Sequence, residues 1–281
     1  MLTVKKLPPY TQPFLMVAAD SHSLQRSNSR HGVRCPCTRM ANGLFLVGTD
    51  RDVGKTMIGV GIVALLRKMG VDATMMTPVS TGGASESAGN LLRQIGVDTP
   101  KRLVNPINFE TAAAPYVASR VERTTFDKDK LRDAYHELRA DGKFVVVEGG
   151  GLLVPITKRY AVVDLLKDFD LPSLIVGRTG RGTLNHSLLT LRLMMVMGIR
   201  PEGFVLNGYG KFGDGFAESL NPDVLAELAR PIPVLATIEW RPSYQDQFPN
   251  FVRAMGQQPG LISCLERLVY EDDDFFEGDD R

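Results

Sequence analysis

The turn Gly54-Lys55-Thr56 brings together three residue types with separate uses on a polyphosphate. Glycine lets the backbone approach the phosphates, lysine supplies a point charge, and threonine places a hydroxyl where Mg²⁺ is held. A helix opening at about Lys55 adds unpaired N–H groups. The flanks support that chemistry: an apolar segment from Leu44 to Val47 leads in, and another from Met57 to Leu66 leads out. Gly48 stands one residue farther from Gly54 than the usual phosphate-loop spacing, and Thr49 occupies the expected glycine position. An ordinary strand-to-helix turn is the plainer alternative, and the apolar runs on both sides favour the phosphate loop over it.

Glu148 is the second candidate. Phe144-Val145-Val146-Val147 delivers it at a strand end beside Gly149, Gly150 and Gly151, where a carboxylate can hold Mg²⁺ directly or through water. A solvated carboxylate before a loose turn is the alternative. A third segment, Val176 to His186, sets Arg178 and Arg181 in a glycine-rich turn suited to an anion or a substrate. Thr183 is a plausible cap for the helix that carries Asn185 and His186. For His186 a structural hydrogen bond is as reasonable as a chemical role. The Leu and Met stripe from Leu188 to Met195 reads as core or subunit contact.

Short apolar runs alternating with helix-period segments must position these groups. Strands are expected at 44–47, 73–76, 144–147, 173–176, 203–206 and 234–238. Helices are expected at 55–69, 86–95, 112–121, 128–139, 162–169, 183–197, 222–229 and 260–269. That alternation implies an α/β fold, a mostly parallel central sheet with helices on both faces. Such sheets bind ligands at the carboxyl ends of their strands, where every glycine-rich segment falls.

The 281 residues and 43% apolar content suffice for a sizeable core, with no linker that requires a second domain. A net charge of +1 gives no drive toward nucleic acid, and a basic start is balanced by an acidic end. Residues 1–39 are expected to be a disordered basic extension, or translation from a start upstream of Met40, and 271–281 an acidic tail. The domain itself is assigned to 40–270. That tail, with Phe275 and Phe276 amid carboxylates, is either a docking peptide or a solvated terminus. The basic arm lacks aromatic interleaving, which argues against nucleic-acid binding. Three cysteines do not make a disulfide scaffold; Cys35-Pro36-Cys37 lacks metal spacing, and Cys264 lies among leucines and reads as buried. No apolar run reaches membrane length and the start lacks a secretory core, so a cytoplasmic location is expected.

Several segments in order resemble the dethiobiotin synthetase family over roughly residues 43 to 240. Gly48 to Thr56 is similar to its Gly-Thr-Asp-Thr-acid-Val-Gly-Lys-Thr loop, and Thr77-Pro78-Val79-Ser80-Thr81-Gly82 to its Lys-Pro-Val segment. Asn105-Pro106, Phe109 and Ala114-Pro115 resemble its Asn-Pro and substrate-side helix, and Glu148 to Pro155 its Glu-Gly-Ala-Gly-Gly run. Gly182 to Thr190 is very close to its Gly-Thr-Ile-Asn-His segment, and Asn207 matches the asparagine that reads the adenine edge.

The resemblance implies a P-loop NTPase-like three-layer fold and an ATP- and Mg²⁺-dependent ligase. Its reaction carboxylates 7,8-diaminononanoate with carbon dioxide or bicarbonate, phosphorylates the carbamate, and closes the ring to dethiobiotin. It further implies a homodimer with the diamine site at the subunit interface. The implied catalytic groups are Lys55 and Thr81, and Arg51, which is no part of the family pattern, is added to them as a candidate. The implied nucleotide-binding residues are Gly48, Thr49, Asp52, Gly54, Lys55, Thr56 and Asn207; the implied metal ligands are Thr56 and Glu148, with Glu86 as the nearest match to a family aspartate expected just after the Thr81 loop.

Three departures stand out. Thr77 replaces the family lysine, the glycine segment after Glu148 is one residue shorter, and Ile238-Glu239-Trp240 replaces an Ile-Pro turn near the adenine. Arg51, where threonine is usual, offers a substitute cation. A nucleotide-binding relative that has lost the reaction, acting as a regulatory or assembly partner, is the alternative reading.

Overall fold

The computed structural model describes residues 41–82, 87–211, 215–244 and 247–270. The expectations for 1–39, Met40, Glu86 and 271–281 fall outside these residues. The strands are β1 (Gly43–Gly48), β2 (Ala73–Met76), β3 (Val79–Thr81), β4 (Ile107–Phe109), β5 (Phe144–Glu148), β6 (Pro155–Thr157), β7 (Tyr160–Ala161), β8 (Ser173–Arg178), β9 (Gly203–Tyr209) and β10 (Val234–Glu239). The helices are α1 (Lys55–Lys68), α2 (Ser87–Gln94), α3 (Lys101–Val104), α4 (Pro115–Glu122), α5 (Lys128–Ala140), α6 (Val162–Phe169), α7 (Thr183–Val196), α8 (Phe216–Ser219), α9 (Asn221–Leu228), α10 (Phe248–Gly256) and α11 (Pro259–Val269).

Six strands make the central sheet in the order β10-β9-β8-β1-β5-β2, and every pairing in it is parallel. Alternate side chains of each strand enter different cores, which is why the strands read as unbroken apolar runs. Leu44, Leu46, Val146, Val176 and Val205 join α1, α10 and α11 on one face. Phe45, Val47, Val147, Ile175 and Phe204 join α5, α6, α7 and α9 on the other. Helix α1 lies in the first of these layers, buried continuously from Ile58 to Leu66. The fold is therefore the expected three-layer arrangement, with β1 in the middle of the sheet and its carboxyl end at the ligand-binding edge.

Two small additions build over that edge. β3 pairs in parallel with β4, and β6 with β7 as a short antiparallel hairpin. Helix α4 packs on both pieces. It begins at Pro115 rather than at Ala112 as the sequence pattern suggests, because proline fits the first helical position and holds Ala114 extended at φ −58°, ψ 143°. Cys264 is buried and free, as expected. Among the described residues no helix is long and apolar enough to cross a membrane.

Candidate functional site

The loop from Thr49 to Gly54 joins β1 to α1 and is tied to both neighbouring strands' ends. Gly48 N–H donates to the Gly150 carbonyl at 3.0 Å and Thr49 N–H to the Val176 carbonyl at 2.9 Å. Lys55 folds back across the loop, and its ammonium donates to the Asp50 carbonyl at 3.1 Å. A Cβ on Gly48 would lie 2.7 Å from that ammonium and 3.0 Å from the Asp50 carbonyl, so a larger residue there would shift the lysine from this path.

Gly54 is needed for two reasons. It holds φ +90°, and a Cβ there would lie 2.1 Å from the side-chain nitrogen of Asn207. That nitrogen donates to the Val53 carbonyl at 3.0 Å, so the end of β9 is fastened to the loop. Asp52 also sits in the left-handed region, at φ 55°, with its side chain exposed.

Glu148 ends β5 opposite Leu46 of β1, which brings it to the base of the loop. The Thr56 hydroxyl lies 2.9 and 3.1 Å from its two carboxylate oxygens, and the Thr77 hydroxyl donates to it at 3.0 Å. Burial pushes the Glu148 carboxyl above the ordinary carboxylate value, opposed by the Lys55 charge and by the hydroxyls of Thr56 and Thr77. Burial pulls Lys55 below the ordinary lysine value, opposed by the charges of Glu148, Asp52 and Asp50. Each charge is thus costly alone and is stabilised by the other.

A cavity of about 290 Å³ opens from this point. Its loop end is polar, with Asp50, Arg51, Lys55, Thr77, Thr81 and Glu148, while Val79, Val154, Ile156, Val162 and Leu165 make its far walls aliphatic. The two additions over the sheet edge supply Val79, Thr81 and Ile156. Arg51 is exposed at the mouth, its backbone N–H donating to the Asp50 carboxylate at 2.7 Å, and its guanidinium has no ion-pair partner among the described residues. Gly48, Thr49, Gly54, Thr56 and Lys55 therefore gather with Glu148, Arg51 and Thr81 around one loop. Asp52 and Asn207 lie on the loop's opposite side, in a different cavity.

The glycine-rich turn after β8 departs from expectation. Arg178 reaches the loop and pairs with Asp50 at 2.8 Å, whereas Arg181 is exposed and pairs with Glu218 at 2.9 Å, so the two arginines do not form one cradle. Thr183 does not cap α7. Gly182, at φ +82°, already turns the chain into the helix, and the Thr183 hydroxyl instead donates back to the Arg178 carbonyl. His186 Nδ1 is 4.0 Å from the Asp50 carboxylate and buried without a hydrogen bond, as is Arg178 Nε.

Sequence reasoning missed the Thr77 bond to Glu148 and the Asp50–Arg178 pair. The second had a signal, since Asp50 follows β1 and Arg178 ends its parallel neighbour β8.

A parallel sheet with a glycine-lysine-threonine loop between its first strand and first helix defines a P-loop NTPase-like α/β protein. The family model described as an AAA domain matches residues 42–247. ATP-dependent dethiobiotin synthetase BioD of Endomicrobium trichonymphae is 37% identical over 174 residues, covering 60% of this chain and 80% of that protein. The same synthetase of Bacillus licheniformis is 34% identical over 219 residues, covering 76% and 91%. That of Anaeromyxobacter dehalogenans is 37% identical over 204 residues, covering 71% and 91%. The chain belongs to the dethiobiotin synthetase family. Among solved structures, the MinD cell division protein of Aquifex aeolicus is 14% identical, with 80% of this chain and 95% of that chain covered and a TM-score of 0.49.

Proposed function

We propose that the protein is an ATP- and Mg²⁺-dependent ligase that carboxylates 7,8-diaminononanoate, using carbon dioxide or bicarbonate, and closes it to dethiobiotin. The observation that carries this reading is the meeting of Lys55, Thr56 and Glu148 where a cavity with aliphatic far walls begins. A diamine on a hydrocarbon chain needs both a polar reacting end and an apolar channel.

Mg²⁺ fits this donor set. Thr56 and Glu148 offer only oxygen, within 3.1 Å of each other, and Mg²⁺ takes one or two such ligands alongside phosphate oxygens and water. Bound there, it would neutralise charge on the transferring phosphoryl group. Lys55 would hold the β- and γ-phosphates, with Gly48, Thr49 and Gly54 admitting them closely. Asp52 and Asn207 would bound the nucleoside end, and Thr81 would face the carbamate. Glu86 is a further metal ligand in this reading. Arg51, exposed at the mouth, would supply the cation that the family lysine supplies elsewhere. A homodimer belongs to the same reading, supported by Leu189 and Val196, both exposed and seven positions apart on α7.

A second reading is favoured by Thr77, a hydroxyl tied to Glu148 where the family places a positive charge. In it the chain binds ATP and does not turn over the diamine. Purified protein given ATP, Mg²⁺, bicarbonate and 7,8-diaminononanoate separates the two. Dethiobiotin and ADP in equal amounts support the ligase; tight ATP binding without product supports the silent relative.

A further inference from the structure

The aliphatic walls of the cavity belong to two elements. Ile156 comes from β6 of the small hairpin, whereas Val162 and Leu165 come from α6. At the open end of the hairpin the backbone joins them. Val162 N–H donates to the Val154 carbonyl at 3.1 Å, and Val163 N–H to the Leu152 carbonyl at 2.9 Å.

At the turn end a side chain makes the join instead. Tyr160, paired there with Thr157, donates its hydroxyl to the carboxylate of Asp168 near the end of α6. Lys128, the first residue of α5, pairs with the same carboxylate at 2.7 Å, and its ammonium lies 5.0 Å from the centre of the Tyr160 ring. Phe126 packs against that ring at 5.7 Å between centroids. Burial, then the bond to Asp168, pushes the Tyr160 phenol well above its ordinary value, so it remains a donor at neutral pH. The Lys128–Asp168 pair is exposed and contributes little by itself. Its effect is to hold the carboxylate in place from a third element while the phenol binds it.

Tyr160, Asp168 and Lys128 do not line the cavity. The separation of Ile156 from α6 nonetheless depends on them, because the turn end of the hairpin is tied to the helix through Tyr160. We propose that Tyr160 is a positioning residue for the hydrocarbon chain of the diamine, fixing through Asp168 the distance between the hairpin wall and the helix wall. The inference rests on the ligase reading above and adds to it a residue outside the cavity.

Steady-state kinetics with 7,8-diaminononanoate, ATP and bicarbonate tests it. Tyr160→Phe keeps the ring against Phe126 and loses the bond to Asp168. Its KM for the diamine should rise roughly threefold to tenfold, while kcat and the KM for ATP stay within about twofold of the parent, the pattern of lost uniform binding. Asp168→Asn keeps an acceptor for the phenol and should stay close to the parent. Asp168→Ala should match Tyr160→Phe, and combining the two should be no worse than either alone. Trypsin gives a readout independent of turnover. Cleavage after Lys158 or Arg159, both exposed at the hairpin tip, should quicken severalfold in Tyr160→Phe, with other fragments appearing at the parental rate. A parental diamine KM in Tyr160→Phe, equal rises in the KM for diamine and ATP, additive losses in the combined variant, or unchanged cleavage at the tip would each overturn the proposal. Absence of dethiobiotin from the unsubstituted protein would instead remove the ligase reading, and Tyr160's role with it.

Discussion

The hydroxyl of Thr77 donates a 3.0 Å hydrogen bond to the carboxylate of Glu148, joining the residue after β2 to the end of β5 beside it. Thr77→Val keeps the shape and removes that bond. A hydrogen bond to a charged group contributes about 1.5–3 kcal/mol, so affinity for Mg²⁺·ATP should fall roughly tenfold to a hundredfold if Thr77 holds the carboxylate in place. Calorimetric titration of nucleotide at several Mg²⁺ concentrations measures it. Unchanged Mg²⁺ dependence would mean that Thr56 positions Glu148 alone.

Gly54 and Asn207 should be energetically coupled. Gly54→Ala places a methyl 2.1 Å from the Asn207 nitrogen and also holds alanine at φ +90°. The backbone strain costs about 1–3 kcal/mol, and the displaced amide adds to it. In a double-mutant cycle, Asn207→Ala should recover the steric part and leave the backbone part, giving a coupling of about 1 kcal/mol or more. Additive losses in urea unfolding would contradict this.

Asp50 pairs with Arg178 at 2.8 Å in a half-exposed setting. Exposed pairs contribute about 0–1 kcal/mol, so Asp50→Asn should barely move the melting temperature. Its effect should fall on anions. Removing a negative charge from the loop should tighten tripolyphosphate binding by roughly threefold at low salt, an advantage that shrinks at high ionic strength. Weaker binding at low salt would show that the pair organises the loop rather than repelling phosphate.

Burial, then the charge of Glu202, pushes the Cys264 thiol up to about 11, above the ordinary value of 9.0. The folded protein therefore keeps a proton that the unfolded thiol begins to release near pH 9. This contribution to stability is complete below that pH and is lost as pH rises toward 11. Alkylation of Cys264, followed by peptide mass mapping, should stay slow in the native protein at pH 8 and become fast in denaturant. Rapid native labelling at pH 8 would place the thiol at the surface.

The central sheet is legible in the sequence because burial on both faces leaves its strands as compact apolar runs between turn residues. β3, β4, β6 and β7 hold two or three residues each, too few to show any period, and so the cavity's outer walls escape such reading. Helix α10 follows a helical period in Phe248, Phe251, Val252 and Met255, but Pro249 and Asn250 obscure its start. Proline is tolerated there because the first turn lacks an internal donor bond in any case. Within the site, the loop residues and Glu148 carry their chemistry in local spacing. The bond between Thr77 and Glu148 spans 71 positions, and only the parallel pairing of β2 with β5 brings its ends together.

β1 lies between β5 and β8, with Gly43 opposite Val145 and Phe45 opposite Ser173. During synthesis the strand that leads into the phosphate loop emerges before both of its partners, and neither exists until the chain has passed residue 144 and then residue 173. Such non-local pairing is slow to form, so the loop is made well before it gains its supports. A nascent chain that stops short of β8 would carry the whole glycine-lysine-threonine turn without the Val176 carbonyl that anchors Thr49. Competence to hold a nucleotide thus waits for β8, and the growing chain's exposed apolar strand must be kept from other chains until then.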